Sequence, residues 1–95
     1  MQLDLAFTYP RFAFASVDAR MRSLDKRYFP AEREVFAELA VIFERISETA
    51  RADLPALYDE LSRSGQEPGH NARFMAADAL DRALDELEGR EHVPN

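Results

Sequence analysis

The chain contains no cysteine and no tryptophan, and only two histidines and three glycines among its 95 residues. Without cysteine there is no disulfide framework, no thiolate nucleophile and no cysteine-based zinc or iron–sulfur site. Because nothing ties such a sequence to an oxidising compartment, we expect a cytoplasmic protein.

Long apolar runs are also missing. The longest, from Leu39 to Phe43, has five residues, whereas a membrane-spanning helix needs roughly 20. The first residues lack both the basic segment and the sustained apolar segment of a secretory signal. We therefore expect no membrane partner.

The short motifs that carry common enzyme chemistry are absent as well. The sequence has no Gly-x-Ser-x-Gly turn, no glycine-rich phosphate loop and no zinc-protease histidine pair. Ser62 and Ser64 stand near His70, but no acidic residue is placed to orient that histidine. Neither His70 nor His92 forms the Glu-x-x-His pattern of di-iron bundles. We predict a non-enzymatic protein with no catalytic residue, no cofactor and no metal ligand.

The sequence does contain an uneven distribution of charge. Residues 1–30 hold five basic and three acidic side chains, whereas residues 31–95 hold seven basic and fifteen acidic ones. The net charge of -6 and the pI near 4.8 oppose binding to nucleic acid or to an anionic lipid surface. We expect instead a partner protein with a basic surface.

Aromatic residues crowd the N-terminal part of the chain, at Phe7, Tyr9, Phe12 and Phe14. Rings beside Arg11 would suit stacking on single-stranded nucleic acid, which the net charge disfavours. Two other interpretations remain open. The rings fill the core, or some of them are exposed as anchors for a partner.

The length predicts a single domain over residues 1–95, with one modest core. Apolar residues alternate from Leu3 to Tyr9, which indicates a short strand ended by Pro10. No second strand is visible to pair with it, so we expect an extended N-terminal arm over residues 1–15. The rest of the chain predicts an all-α fold, a small bundle of about four helices.

The first helix is predicted from Val17 to Arg27, with Ser16 as its cap. Its buried face is expected at residues spaced by four, three and four, namely Val17, Met21, Leu24 and Tyr28. The second helix follows Pro30, which suits a first helical turn. A continuous apolar stripe predicts that this second helix is the centre of the core. The stripe comprises Val35, Phe36, Leu39, Ile42, Phe43 and Ile46.

Two further helices are predicted. The third starts at Asp53 and ends before Gly65, where a loop begins. The last helix is expected to be capped by Asn71 and closed by Gly89. Residues 90–95 are expected to form a frayed tail.

The last predicted helix carries four acidic residues at helical spacing, Asp78, Asp81, Asp85 and Glu88. They fall within about 80° of arc, away from the apolar face of the same helix. Like charges at these spacings destabilise a helix by roughly 0.2–0.5 kcal/mol per pair, and Arg82 offsets part of this through Asp78 and Glu86. We predict that these four residues bind the partner; the alternative is a solvated face that keeps the protein in solution.

Three segments resemble a bacterial helical family of unknown function. Residues 25–30 read Asp-Lys-Arg-Tyr-Phe-Pro, residues 52–58 read Ala-Asp-Leu-Pro-Ala-Leu-Tyr, and Ala72-Arg73 is followed by Ala77-Asp78. These match the family's Tyr-Phe-Pro helix junction, its Asp-Leu-x-x-Leu-Tyr helix start and a further helix beginning near Ala-Arg. The resemblance covers residues 12–85. It departs from the pattern in the spacing before the Tyr-Phe-Pro junction and at Asp59-Glu60, where Thr-His is expected. The resemblance implies an all-helical fold and supplies no activity and no site residue.

Together these features favour a non-enzymatic intracellular protein-binding module. A small acidic protein without cofactor motifs suits an inhibitor that occludes a basic site, as immunity proteins and phage anti-defence proteins do. The alternative is a self-associating structural or adaptor protein. It would dimerise through its N-terminal arm or through the alanine-rich face of its last helix.

Overall fold

The computed structural model places the backbone of residues 2–92 and describes the side chains of residues 10–86. The helices are α1 (Gln2–Ser23), α2 (Pro30–Ser47), α3 (Leu54–Gly65) and α4 (Asn71–His92), with a short 3-10 turn at Arg51–Asp53 before α3. Over residues 2–92 no strand is present. The prediction of an all-α bundle of about four helices is confirmed.

Helix α2 lies at the centre of the bundle, with α1 on one side and α4 on another, while α3 packs against α4. The predicted stripe of α2 supplies this contact, since Leu39, Ile42, Phe43 and Ile46 are buried. Each such side chain stabilises the fold by roughly 1.5–3 kcal/mol relative to an exposed position. The prediction that α2 is the central core helix is therefore confirmed.

The start of α2 follows the expected chemistry. Pro30 stands in the first turn, where its missing N–H costs no helical hydrogen bond. The Glu32 carboxylate accepts a hydrogen bond from the Phe29 backbone N–H at 2.9 Å. This carboxylate also lies at the positive end of the helix dipole. Both features fix the point at which α2 begins.

Helix α1 buries a different face from the predicted one. Its core residues are Phe12, Ser16 and Ala19, with Ala15 partly buried beside them. The Phe12 ring packs against the Phe43 ring of α2, with centroids 5.7 Å apart. The small residues at positions 15, 16 and 19 let the backbones of α1 and α2 approach closely. Close packing against α2 therefore selects the face with small residues.

Ser16 is a corrected prediction. It lies inside α1 rather than capping a helix, and its buried hydroxyl donates to the Ala40 carbonyl of α2 at 2.8 Å. Val17, Met21 and Leu24, which were expected to be buried, are 57%, 66% and 74% exposed. The helix also ends at Ser23 instead of Arg27.

The extended arm expected over residues 1–15 is not shown. Residues 10–15 belong to α1, and Pro10 lies inside this helix instead of ending a strand. Packing of Phe12 on Phe43 stabilises this part of the chain as a helix, whereas a lone strand would leave its backbone unpaired. The strand expected from Leu3 to Tyr9 falls within the assigned range of α1, but outside the residues whose side chains are described.

Helices α3 and α4 meet through leucines and alanines. The buried residues of the two helices are Leu54, Leu57, Leu61, Ala72, Ala76, Ala77, Leu80 and Ala83. Gly65 ends α3, and a Cβ atom there would lie 2.6 Å from the Phe74 backbone nitrogen. Glycine is therefore required for the close approach of the two helices. Gly69, in the loop that follows, has a φ of 86°, a backbone angle that residues with a side chain rarely adopt.

The ends of α4 differ from the expected ones. Asn71 is its first residue rather than its cap, and the His70 carbonyl accepts the backbone N–H groups of Arg73 and Phe74. At the other end α4 continues past Gly89 to His92. The frayed tail predicted over residues 90–95 is therefore wrong for residues 90–92, which belong to α4, and residues 93–95 lie outside the described part of the chain.

Candidate interaction surfaces

Helix α4 presents acidic residues on the side opposite its core. Asp78, Asp81 and Asp85 are exposed, whereas Ala76, Leu80 and Ala83 on the other side are buried. We call the three aspartates the acidic α4 face. The side chain of Glu88, the fourth predicted binding residue, lies outside the described residues. The structure thus brings three of the four predicted residues to one exposed surface.

Two basic side chains, Arg82 and Arg11, form ion pairs with acidic residues of α4. Arg82 pairs with Asp78 at 3.1 Å, one helical turn away, as the sequence predicted. Glu86 forms an ion pair with Arg11 of α1. This contact joins residues 75 positions apart, and no short-range pattern in the sequence indicates it. It links the middle of α1 to the second half of α4 in the fold.

An aromatic ring adjoins the acidic α4 face. Phe74 is 57% exposed, and it lines a small cavity of about 120 Å³ together with Asp78 and Asp81. Tyr58 of α3 lines the same cavity. Exposed aromatic side chains beside charges are common anchors in protein interfaces. This ring is the feature of the acidic surface that the charge pattern did not predict.

Four large exposed apolar side chains form a single row along α1 and the turn that follows it. Phe14, Val17, Met21 and Leu24 are 76%, 57%, 66% and 74% exposed. We call these four residues the outer α1 face. Phe14, Val17 and Met21 lie within about 60° of arc on α1, and Leu24 follows in the turn just past Ser23. They lie opposite Phe12, Ser16 and Ala19, so α1 is apolar on two faces and uses only one of them in this fold.

Charged residues flank the outer α1 face. On one side, Arg22 donates to Asp18 at 2.9 Å and to the Tyr28 hydroxyl at 3.0 Å. The hydrogen bond to Asp18 and the charge of Asp18 raise the pKa of Arg22. On the other side, Arg20 makes a long ion pair of 3.9 Å with Glu44. Charged side chains therefore border the apolar row on both sides.

The turn after α1 is held by a strong ion pair. The Arg27 guanidinium donates to Asp25 at 2.7 Å, and its backbone N–H donates to the same carboxylate at 3.0 Å. These hydrogen bonds lower the pKa of Asp25 from 3.8 to about 2. Asp25 directly follows Leu24, the last residue of the outer α1 face.

A second apolar opening lies between the beginnings of α2 and α4. Its volume is about 350 Å³, and it is lined by Glu32, Val35, Phe36, Asn71, Phe74 and Met75. The Tyr28 ring packs edge-on against Phe36 with centroids 5.0 Å apart.

The serines and the histidine near the loop after α3 have structural contacts. His70 Nδ1 donates to the Ser64 carbonyl at 2.9 Å, and the Ser64 hydroxyl donates to the Glu60 carbonyl at 2.9 Å. Arg73 donates to the Ser64 hydroxyl at 3.2 Å. His70 Nδ1 also lies 3.5 Å from Glu67 Oε1, so an acidic residue does lie beside this histidine, contrary to the prediction from the sequence. These bonds hold the end of α3 against the start of α4.

The side chains described, those of residues 10–86, include acidic residues and one histidine, His70. Over that part of the chain, no three histidine or acidic side chains come together as they would around a metal ion. None of its helices combines the length and apolar character required to cross a bilayer.

Comparison of the chain with known protein families, with curated proteins and with solved structures finds no match. The resemblance of its helix junctions to a bacterial helical family stays a prediction based on the sequence motifs.

Proposed function

We propose that this chain is a non-enzymatic, cytoplasmic protein-binding module that packs the outer α1 face against an amphipathic helix of a partner chain. The single observation that supports this is the row of four large apolar side chains, each more than half exposed. Contiguous apolar patches of this kind on a folded protein mark interaction sites.

The geometry of the row favours a helix as the partner. Spacings of three and four residues along one face are the pattern by which two helices interdigitate their side chains. The helix that carries the row is already fixed, because its other face packs on α2 through Phe12 and Ala19. Binding therefore requires little ordering of α1, which removes one of the main costs of association.

Crosslinking in cells of the native host tests this proposal. A photoreactive phenylalanine analogue replaces Phe14 in one variant and Val41 in another; Val41 is a control because it is 58% exposed but stands alone on the outer side of α2. We expect an adduct of one discrete mass from position 14, lost when Val17→Glu is added, and none from position 41. Absence of an adduct at position 14, or equal adducts from both positions, contradicts the proposal.

The second candidate function is the acidic inhibitor predicted from the sequence, which would occlude a basic site through the acidic α4 face. The exposed Phe74 ring beside Asp78 and Asp81 favours it, since an apolar anchor among charges gives both affinity and specificity. The partner would then be a protein with a basic surface, bound in a salt-dependent way.

Charge reversal tests the second candidate. Asp81→Lys with Asp85→Lys is compared with Asp59→Lys and Glu34→Lys, which change the net charge equally at exposed sites elsewhere. We expect capture of a basic host protein to be lost in the first pair and retained in the second. Capture that survives both pairs, or that does not weaken at high salt, contradicts an electrostatic docking site on α4.

A further inference from the structure

We propose that the partner helix is α1 of a second copy of this chain. The two outer α1 faces would pack against each other in a symmetric dimer, with the helices side by side and pointing in the same direction. This inference rests on the proposed function, because it names the helix that covers the same face.

The spacing of the face is self-complementary. Phe14 and Met21 are seven residues apart, and so are Val17 and Leu24. Two sets of apolar residues that each repeat every seven positions are the pattern of the two core positions in a pair of packed helices. Two copies related by a twofold axis would place each side chain against its own counterpart. In the sequence, Phe7 and Pro10 continue the same alternation toward the N-terminus.

The area is sufficient for a weak, specific dimer. At the exposures given above, the four side chains present about 500 Å² of apolar surface per chain, which is near the upper end for the largest patch on a monomer. Two copies would bury about 1,000 Å² in total, at the low end of biological interfaces. We expect a dissociation constant on the order of micromolar to tens of micromolar.

The flanking charges favour a second copy and decide its direction. In a parallel pair, the residue before one core position faces the residue five positions later in the other chain. Arg20 then comes nearest to the end of the partner's α1, where Asp25 lies two residues beyond Ser23. The hydrogen bonds from Arg27 lower the pKa of Asp25, and the Arg20 guanidinium makes a contact of 3.9 Å with Glu44. In an antiparallel pair Asp18 would face Asp18 and Arg20 would face Arg20, which is repulsive. The parallel pair is thus the complementary one.

Sedimentation of the purified full chain tests the dimer. From about 1 to 500 μM, we expect the mass to rise from 10.9 kDa toward twice that value. Val17→Glu should abolish the rise and retain the helical circular dichroism signal, since position 17 is exposed in the single chain and Glu is a good helix former. Val41→Glu, at an equally exposed valine, should dimerise as the original chain does.

Three results would overturn the inference: a monomer at every concentration, a dimer that Val17→Glu does not weaken, or equal loss in both glutamate variants. A fourth is a mass that keeps rising beyond two copies, since a closed symmetric pair cannot grow. If the chain is a monomer but position 14 still crosslinks in host cells to a protein of a different mass, the dimer is refuted and the proposed function stands. A monomer with no adduct would refute the proposed function as well.

The absence of native cysteine allows a direct test of direction. Oxidised Val17→Cys should form a covalent dimer by itself in the parallel pair, and Val41→Cys should not. If Val17→Cys crosslinks only when mixed with Met21→Cys, the helices are antiparallel and the parallel arrangement is wrong. This test does not depend on a glutamate variant remaining folded.

Discussion

Helices α1 and α2 carry rows of large apolar side chains at similar spacing, yet one row is exposed and the other is buried. The row on α2 forms the core through Leu39, Phe43 and Ile46, whereas the row on α1 from Phe14 to Leu24 faces outward. The difference arises because α1 has a second apolar face made of small residues. Small side chains allow close helix contact, and the Ser16 hydrogen bond to Ala40 fixes it. Periodicity therefore identifies a helix face without deciding what covers it.

Truncation of one large side chain in each row should give the largest contrast. Ile46→Ala removes a fully buried side chain of α2 and should lower the free energy of unfolding by about 2–5 kcal/mol. Met21→Ala, on the outer α1 face, should change that free energy by no more than about 0.5 kcal/mol below the dimerisation concentration. Urea unfolding at low protein concentration measures both. Equal losses would contradict the assignment of the two faces.

Enlarging a small residue should next distinguish the two faces of α1. Ala19 is 3% exposed, so Ala19→Leu should force α1 away from α2 and cost about 1–3 kcal/mol. Ala37→Leu, at an exposed alanine of α2, is the matched control and should cost less than about 0.5 kcal/mol. Thermal unfolding followed by circular dichroism gives the comparison. A neutral Ala19→Leu would mean that the small-residue face is not packed.

Loss of one hydroxyl should have a smaller effect that depends on burial. Ser16→Ala removes a buried hydrogen bond to the Ala40 carbonyl and should cost about 1–2 kcal/mol. Ser23→Ala removes a similar bond, to the Arg20 carbonyl, at an exposed site, and should cost about 0.5 kcal/mol or less. Chemical denaturation of both variants checks the order. The reverse order would place the core on the other side of α1.

The smallest effect concerns the polar edge of the buried row, where Arg45 donates twice to Glu60 of α3 at 2.9 and 3.0 Å. The hydrogen bonds from Arg45 lower the pKa of Glu60. A lowered pKa stabilises the fold above the unfolded value of 4.5, and this stability is lost as the pH falls through the folded value. Both side chains are about half exposed, so Glu60→Gln should cost less than about 1 kcal/mol at pH 7.

The pH dependence provides the control for this salt bridge. The stability difference between the original chain and Glu60→Gln should be present at pH 7 and shrink below pH 4.5 as the carboxylate is protonated in both states. Urea unfolding at a series of pH values measures it. A difference that grows on acidification would show that Glu60 acts through something other than its charge.

Much of the fold could be predicted because most helices have only one apolar face. The row on α2 and the exposed aspartates of α4 follow directly from helical spacing, and both lie where the sequence indicated. The buried face of α1 could not be predicted in the same way. The prediction assigned the larger residues to the core instead of Ala15, Ser16 and Ala19. A large side chain is buried only where the neighbouring helix leaves space for it.

The surfaces of the molecule were likewise only partly predictable from the sequence. The sequence identified Asp78, Asp81 and Asp85 as one exposed face, but it gave no indication of Phe74 beside them or of the Arg11 contact with Glu86. These depend on the packing of α3 and α4 and on long-range pairing. The spacing of Phe14, Val17, Met21 and Leu24 was visible in the sequence. This row indicates an interface once the small residues of α1 are assigned to the core.

The measurement that tests the central claim most directly is thiol labelling of Val17→Cys and Val41→Cys at increasing protein concentration. The two valines are exposed to the same extent in the single chain, at 57% and 58%, and the chain has no other cysteine. We predict that the thiol at position 17 becomes protected as concentration rises through the micromolar range, whereas the thiol at position 41 reacts at a constant rate. Equal and concentration-independent reactivity of the two thiols would contradict the claim that the outer α1 face pairs with a second copy.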